Sequence, residues 1–342
     1  MTHAPRVSIL MPVRDGAYLD AALETLLAQT FADFEMVVVD DASDAVTKRA
    51  IGIRAARDAR VRIVRRERST GLADALNEGL SACRADLIAR ADGDDVYHPD
   101  RLSRQVAAFD ARPGLAALSC GWRRIDAHGR RLFTHRPVTG SANLRFAIMF
   151  GAPLLHPGAM YRAAAVRTVG GYDPAFWTAQ DSDLWARMAE FMELDNLTQT
   201  LVDWRQHDAT VSRRRGAAGR ALGLSVAIRQ QTAYLGCSLR DDDVAAGVAT
   251  YASAEQMPLA DLDRGQRHLG RLHACAITKE QPEVVHWFSR HVARALMRQS
   301  RWALKDRRFR DSMALLRSSK RWGARSCTAT VPQDVLVGRA LS

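Results

Sequence analysis

The stretch "FEMVVVDDAS", residues 34–43, holds an unbroken β-branched run and then ends abruptly on two carboxylates. A strand without polar alternation has no face to give to water, so it suits a parallel strand covered on both sides. The neighbouring sequence supplies the cover. "RVSILMPV" reads as a strand, and "AYLDAALETLLAQT" places Leu19, Leu23, Leu26 and Leu27 at helical spacing. A helical basic stretch follows, then a third strand, "VRIVRR". "GLADALNEGLSAC" is a helix entered through Gly71, and "ADLIARAD" is a fourth strand. The order β-α-β-α-β-α-β predicts an α/β fold: a Rossmann-like, mostly parallel sheet flanked by helices. Ligands on such sheets bind beyond the carboxyl ends of the strands. Pro12, Asp40–Asp41 and Asp92–Asp94 are expected at that edge.

After about residue 115 the pattern is mixed. "GLAALSCGWRRID" reads as a strand, and "GAMYRAAAVRTVGGYD" as a strand, a short helix and a turn. "SDLWARMAEF" reads as a helix that starts directly after Asp181, a residue type favoured at an N-cap. From residue 213 the chain reads as mostly helical, with "MPLADLDRG" as its one clear interruption. The expected domains are 1–212 and 213–342.

Charge divides at the same place. Residues 1–212 carry 26 Lys+Arg and 27 Asp+Glu, whereas residues 213–342 carry 23 and 11, so the surplus of +11 lies entirely in the second part. Two readings of this tail stand side by side: a solvated basic helix face, or attraction to an anionic membrane surface or another polyanion. Val285, Phe288, Val292 and Leu296 form one apolar stripe; Phe309, Met313 and Leu316 form another. Both are expected to pack as core. No run of 18 apolar residues is present, so no transmembrane helix is expected. The N-terminal stretch lacks a signal peptide's apolar segment. The five cysteines are odd in number, scattered and without metal-ligand spacing, which points to a reducing, cytoplasmic compartment.

The segment "IARADGDDVYHPDRL" sets Asp92, Asp94 and Asp95 within four positions at a strand end. Like charges this close repel unless a cation neutralises them. Asp92-Gly93-Asp94 can hold Mg²⁺ or Mn²⁺, which favour oxygen ligands and share their remaining positions with substrate phosphates. Gly93 lets both carboxylates face one point. Alone, such a D-x-D occurs in many loops.

The chain resembles the family-2 glycosyltransferases, inverting enzymes of the GT-A fold, segment by segment and in order. "VSILMPVRDGAYLDAALETLLAQTFADFEMVVVDDASD" resembles the family's opening strand-helix-strand. "GLADALNEGLSACRADLIARADGDDVYHPDRLSRQ" resembles the helix leading into its D-x-D. "HPGAMYRAAAVRTVGGYDPAFWTAQDSDLWARM" is similar to its acceptor-side segment, and "LVDWRQHDATVS" to its closing Y-R-x-H stretch. The resemblance covers about residues 6–212.

It implies a metal-dependent transfer of a sugar from a nucleotide-sugar to an acceptor hydroxyl, in cell-surface glycan biosynthesis. Pro12, Arg14 and Asp41 would border the base and ribose, with Asp41 accepting from a uracil-like N–H, which favours a UDP-sugar. Asp92 would lie near the ribose. Asp94 would ligate the Mg²⁺ or Mn²⁺ that bridges the diphosphate, and Asp95 would be a turn or helix-entry residue. Arg205 and His207 would close over the diphosphate, with the imidazole joining the metal shell. Asp181 would be the catalytic base, and His156 would face the sugar. Trp185 would be core behind the base. Tyr172, Phe176 and Trp177 would be either an acceptor wall or packing. The chain departs from the family pattern at Asp15, where Asn is usual, and at Gln180, where Glu is usual. The implied acceptor is a glycan or a lipid-linked molecule, with peripheral contact at the inner membrane face through the basic tail.

Other classes fit less well. A nucleotidyltransferase would show a glycine-rich basic loop where this chain has "MPVRDGAYLD". A dinucleotide oxidoreductase would show G-x-G-x-x-G after the first strand. The near-neutral first 212 residues oppose a nucleic-acid-binding protein. A degenerate transferase that binds nucleotide-sugar without transferring it remains the main alternative, given Asp15 and Gln180.

Overall fold

The computed structural model describes residues 4–14, 16–207, 216–252 and 254–325. The chain divides into two compact units, Met1–Ile148 with Ala152–Gly223 and Met149–Gly151 with Leu224–Ser342.

In the first unit the four expected strands form. They are β1 (Val7–Val13), β2 (Phe34–Asp41), β3 (Val61–Arg66) and β4 (Leu87–Arg90), paired in parallel in the order β3-β2-β1-β4. Every residue of β1, β2 and β4 is buried, as their unbroken apolar runs require. The covering helices are α1 (Leu19–Leu27), α2 (Ala45–Arg57) and α3 (Leu72–Ala82). Leu19, Leu23 and Leu26 of the expected stripe are buried. Asp44 caps α2 by accepting from the Thr47 amide at 2.7 Å. Gly71, at φ 126°, makes the turn into α3 that a Cβ would strain.

The later elements of this unit are β5 (Val96–Tyr97), α4 (Arg101–Ala111), β6 (Leu115–Ile125), β7 (Arg131–His135), α5 (Ser141–Ile148), a 3-10 turn (His156–Gly158), β8 (Met160–Arg162), α6 (Ala163–Thr168), α7 (Gln180–Ala189) and β9 (Glu193–Arg205). The sheet continues β4-β8-β6-β9-β5, with β7 paired to β6. β8 lies antiparallel between β4 and β6, while the long β6–β9 ladder is again parallel. Most paired residues therefore sit in parallel ladders, as expected, and each antiparallel pair includes a strand from the stretch that reads as mixed.

The second unit is helical. α8 (Gly216–Leu235) leads into it, followed by α9 (Asp241–Ala252), α10 (Leu259–Lys279), α11 (Pro282–Lys305) and α12 (Phe309–Arg325). Two expectations need correction. "MPLADLDRG" is not the one interruption: helices also break at 236–240, 280–281 and 306–308, and Leu259–Gly265 is itself helical, with Pro258 at its N-cap. The Val285, Phe288, Val292, Leu296 stripe is buried, but the α12 stripe is not as expected. Phe309 and Met313 are 62% and 52% exposed, and Ser312, Leu315, Ser319 and Trp322 face inward instead. Small serines let α12 approach α11 closely: Ser300 Oγ meets Ser312 Oγ at 3.0 Å, and Ser319 Oγ donates to the Ala293 carbonyl at 2.8 Å. Buried His273 of α10 meets Trp322 edge-on, with ring centroids 5.4 Å apart. Among the described residues no helix is long and apolar enough to cross a membrane.

Candidate functional site

Because β2, β1 and β4 are neighbours, their carboxyl ends deliver Asp40–Asp41, Pro12–Arg14 and Asp92–Asp95 to one edge. Pro12 pairs in register with Val39, and Val13 with Asp40. Arg14 is exposed just beyond β1. Asp15 lies outside the described residues.

Asp92, Asp94 and Asp95 each offer a carboxylate oxygen, and these oxygens lie within 4.8 Å of one another. Each has a different environment. Asp92 ion-pairs with the buried Arg90. Its backbone is pinned by Tyr97, whose hydroxyl accepts from the Asp92 amide at 2.6 Å and donates to its carbonyl at 3.0 Å. Asp94 Oδ2 meets His207 Nε2 at 2.9 Å. Burial, then the charge of Asp92, pushes the Asp94 carboxyl up. Asp95 is no ordinary turn residue. It is fully buried, its Oδ1 accepts from the Arg205 amide at 2.8 Å, and its Oδ2 has no hydrogen-bond partner among the described residues. Burial and the charges of Asp94 and Asp92 push its carboxyl well up. Three converging carboxylates, an orphaned oxygen and one imidazole nitrogen make a donor set that suits a hard divalent cation.

Arg205 is placed differently from the expectation that it closes over a diphosphate. Its Nε donates to the Asp94 carbonyl at 2.9 Å and its Nη1 to the Asp126 and Ala127 carbonyls at 3.3 and 3.1 Å. Its guanidinium also lies 4.6 Å over the Tyr18 ring. These contacts make it a brace for the aspartate loop. Asp41 is nearly buried, with Arg66 on Oδ1 and Ser69 Oγ on Oδ2 at 2.6 Å.

The second group of expected residues surrounds α7. The helix begins at Gln180, with Ala179 at the N-cap, so Asp181 sits in the first turn and not at the cap. There its half-buried carboxylate lies at the positive end of the helix dipole. Gln180 is buried, and Trp177 is 51% exposed beside half-buried Phe176. Tyr172 is core: its hydroxyl meets His156 Nε2 at 2.8 Å and the Tyr161 hydroxyl at 3.2 Å. His156 is itself buried, edge-on to the buried Trp185. Burial raises the Tyr172 hydroxyl, and the charges of Asp181 and Asp92 both add to it.

Two alanines adopt positive φ beside these groups, Ala42 (55°) after Asp41 and Ala179 (60°) before Gln180. Such conformations cost a non-glycine residue about 1–2 kcal/mol and cluster at functional sites.

Several supporting residues escape sequence reasoning. Arg101 Nη2 donates to the Arg90 and Ala159 carbonyls at 2.6 and 3.2 Å, joining β4 to the 3-10 turn. Asn77 of α3 clasps the Tyr172 backbone, its Nδ2 donating to the carbonyl at 2.7 Å and its Oδ1 accepting from the amide at 2.9 Å. Arg187 donates to the carbonyls of Val169 and Gly171, fixing the turn that precedes Tyr172. The usable signal is an asparagine inside a helix, where that side chain is unfavourable.

A family model described as Glycosyl transferase family 2 matches residues 8–170. EpsE of Bacillus subtilis (strain 168) is 32% identical over 56% of this chain and 69% of its own length. The O-antigen biosynthesis protein RfbC of Myxococcus xanthus is 30% identical over 67% of this chain but 18% of its own length. The chain likewise spans 23% of a Sinorhizobium fredii relative. Among solved structures, S. aureus TarS 1–349 in complex with UDP-GlcNAc superposes with a TM-score of 0.54 at 15% identity, covering 92% of each chain. That likeness shows a shared GT-A architecture.

Proposed function

The chain belongs to glycosyl transferase family 2, and on that premise we propose that it transfers a sugar, with inversion, from a nucleoside-diphosphate sugar to an acceptor hydroxyl. The observation that carries the reading is the meeting of Asp94 and His207, 113 positions apart in sequence, within a three-carboxylate cluster where β1, β2 and β4 end. Asp94 and His207 would hold Mg²⁺ or Mn²⁺. Such an ion, when bound, offsets charge on a departing diphosphate. Asp92, with Pro12, Arg14 and Asp41, would border the nucleoside, and the acceptor-only chemistry of Asp41 favours a UDP-sugar. Arg205 would serve as a brace that fixes the Asp94 backbone and the Asp95 carboxylate. Asp181 would take the acceptor proton. Gln180, His156 and Tyr172 would hold the ground behind it, leaving Trp177 to meet the acceptor. The naming of RfbC supports a glycan or lipid-linked acceptor in cell-surface glycan biosynthesis.

Thermal stabilisation and donor hydrolysis across a nucleotide-sugar panel, with Mn²⁺ or with chelator, test this. A true donor at about 100 times its Kd adds about 2.7 kcal/mol. The gain should require Mn²⁺ or Mg²⁺, and Asp94→Ala should remove that requirement together with the gain. Full metal-dependent stabilisation of Asp94→Ala would sink the cation assignment. Tight donor binding without transfer to any acceptor would favour the degenerate alternative.

Peripheral contact with the inner membrane face belongs to the same proposal. Leu304, Phe309 and Met313 are all more than half exposed around the turn from α11 to α12. Lys305, Arg307, Arg308 and Arg310 stand among them. Apolar side chains ringed by cations fit an anionic bilayer interface.

A further inference from the structure

A second concave site lies within the helical unit, between α10 and α12. It encloses about 490 Å³, within the size range of small-molecule pockets. Its lining includes Arg267 and Arg271 from α10, and Arg321 and Arg325 from α12, with Asp263 and Trp322. Each arginine pair is spaced i, i+4, so each places two like charges on neighbouring positions of one helix face, an arrangement that repels. The pocket thus gathers four cations and one carboxylate. None of the four arginines is ion-paired to a carboxylate among the described residues.

Ordinary surface chemistry explains part of this. Cations near a helix C-terminus complement its dipole, which accounts for Arg321 and Arg325 but not for Arg267 and Arg271 in the middle of α10. Arg271 donates to Cys237 Sγ at 3.3 Å, and Arg325 stacks 4.6 Å over Trp322. Neither contact supplies negative charge. The field is felt nearby: burial, then the charge of Arg325, pushes buried His273 down to about 4.

We propose that this pocket binds a phosphate-bearing anion, held by the guanidiniums of Arg267, Arg271, Arg321 and Arg325. Planar guanidinium forks match phosphate oxygens and stay charged at any physiological pH. The site is separate from the aspartate cluster and needs no divalent cation. The same chemistry fits a soluble pyrophosphate group or a phospholipid headgroup.

Isothermal titration of sodium pyrophosphate into the full chain, with EDTA present, tests the pocket. Saturable binding that weakens with salt is expected. Arg267→Ala and Arg321→Ala should each weaken it about tenfold, while Asp94→Ala should leave it unchanged. All four arginines are exposed positions, so these variants should fold normally. Co-sedimentation with phosphatidylcholine vesicles, with and without phosphatidic acid, identifies the source. Retention by phosphatidate that pyrophosphate displaces, and that the double variant Arg267→Ala with Arg321→Ala loses, assigns a headgroup. Pyrophosphate binding without such retention assigns a soluble anion. Absent pyrophosphate binding, or binding that the double variant keeps, overturns the proposal.

Discussion

Acid should loosen the helical unit through His273. Its ring is 4% exposed, packed against Trp322, with an Nε2 that has no hydrogen-bond partner among the described residues. Burial and Arg325 hold its folded value at about 4, against 6.5 for the free side chain. The folded value is the lower one, so the unfolded chain binds the proton first. Above pH 6.5 both states are neutral and nothing is lost. Between 6.5 and about 4 the contribution of His273 lowers stability by about 1.4 kcal/mol per pH unit, and below that it levels off, a total of about 3 kcal/mol. That is a large share of the roughly 5–15 kcal/mol that holds a domain together. Urea titrations at several pH values, read by hydrogen exchange of α10 and α12 peptides, measure the slope. His273→Leu keeps the volume, removes the orphaned nitrogen and should flatten the slope by about one proton. Parallel curves for wild type and variant from pH 7 to 4 would refute the reasoning, because the imidazole would then titrate alike in both states.

Asp181→Asn should lower transfer by about 10²–10⁴-fold with donor affinity unchanged; a rate above about a tenth of wild type excludes it as the base. Asn77→Ala should destabilise by about 2–4 kcal/mol, since it strips both partners from the Tyr172 backbone; an unchanged melting temperature would show that the clasp is dispensable. Phe309→Ser with Met313→Ser should reduce co-sedimentation with anionic vesicles at constant charge, and equal retention would assign any binding to the cations alone.

The sheet edge was legible because it depends on local signals. Unbroken runs such as "MVVV" allow only buried strands, and the carboxylates at their ends mark where those strands meet water. The α10–α12 pocket and the brace by Arg205 were not legible, because each joins segments whose meeting depends on packing. The shifted α12 stripe has a clearer cause. Phe309 and Met313 carry more apolar surface than Ser312 and Ser319, so hydropathy favours the wrong face. Close helix approach selects small side chains, a preference that hydropathy does not register. Asp181 looked like a cap because Asp is common there; the helix starts one residue before it, after the left-handed Ala179.

The bond between the Asp95 carboxylate and the Arg205 amide closes a separation of 110 residues. Forming it requires β9 to be in place, and long loop closures come late in folding. During synthesis at about 5–20 residues per second, roughly 6 to 22 s separate the emergence of the two partners. For that interval the aspartate cluster exists without its brace, and the nascent chain should have no ordered cation site. A ribosome-bound chain stalled with only residues 1–190 exposed should therefore show no Mn²⁺-dependent protection from protease, whereas one stalled with residues 1–212 exposed should gain it.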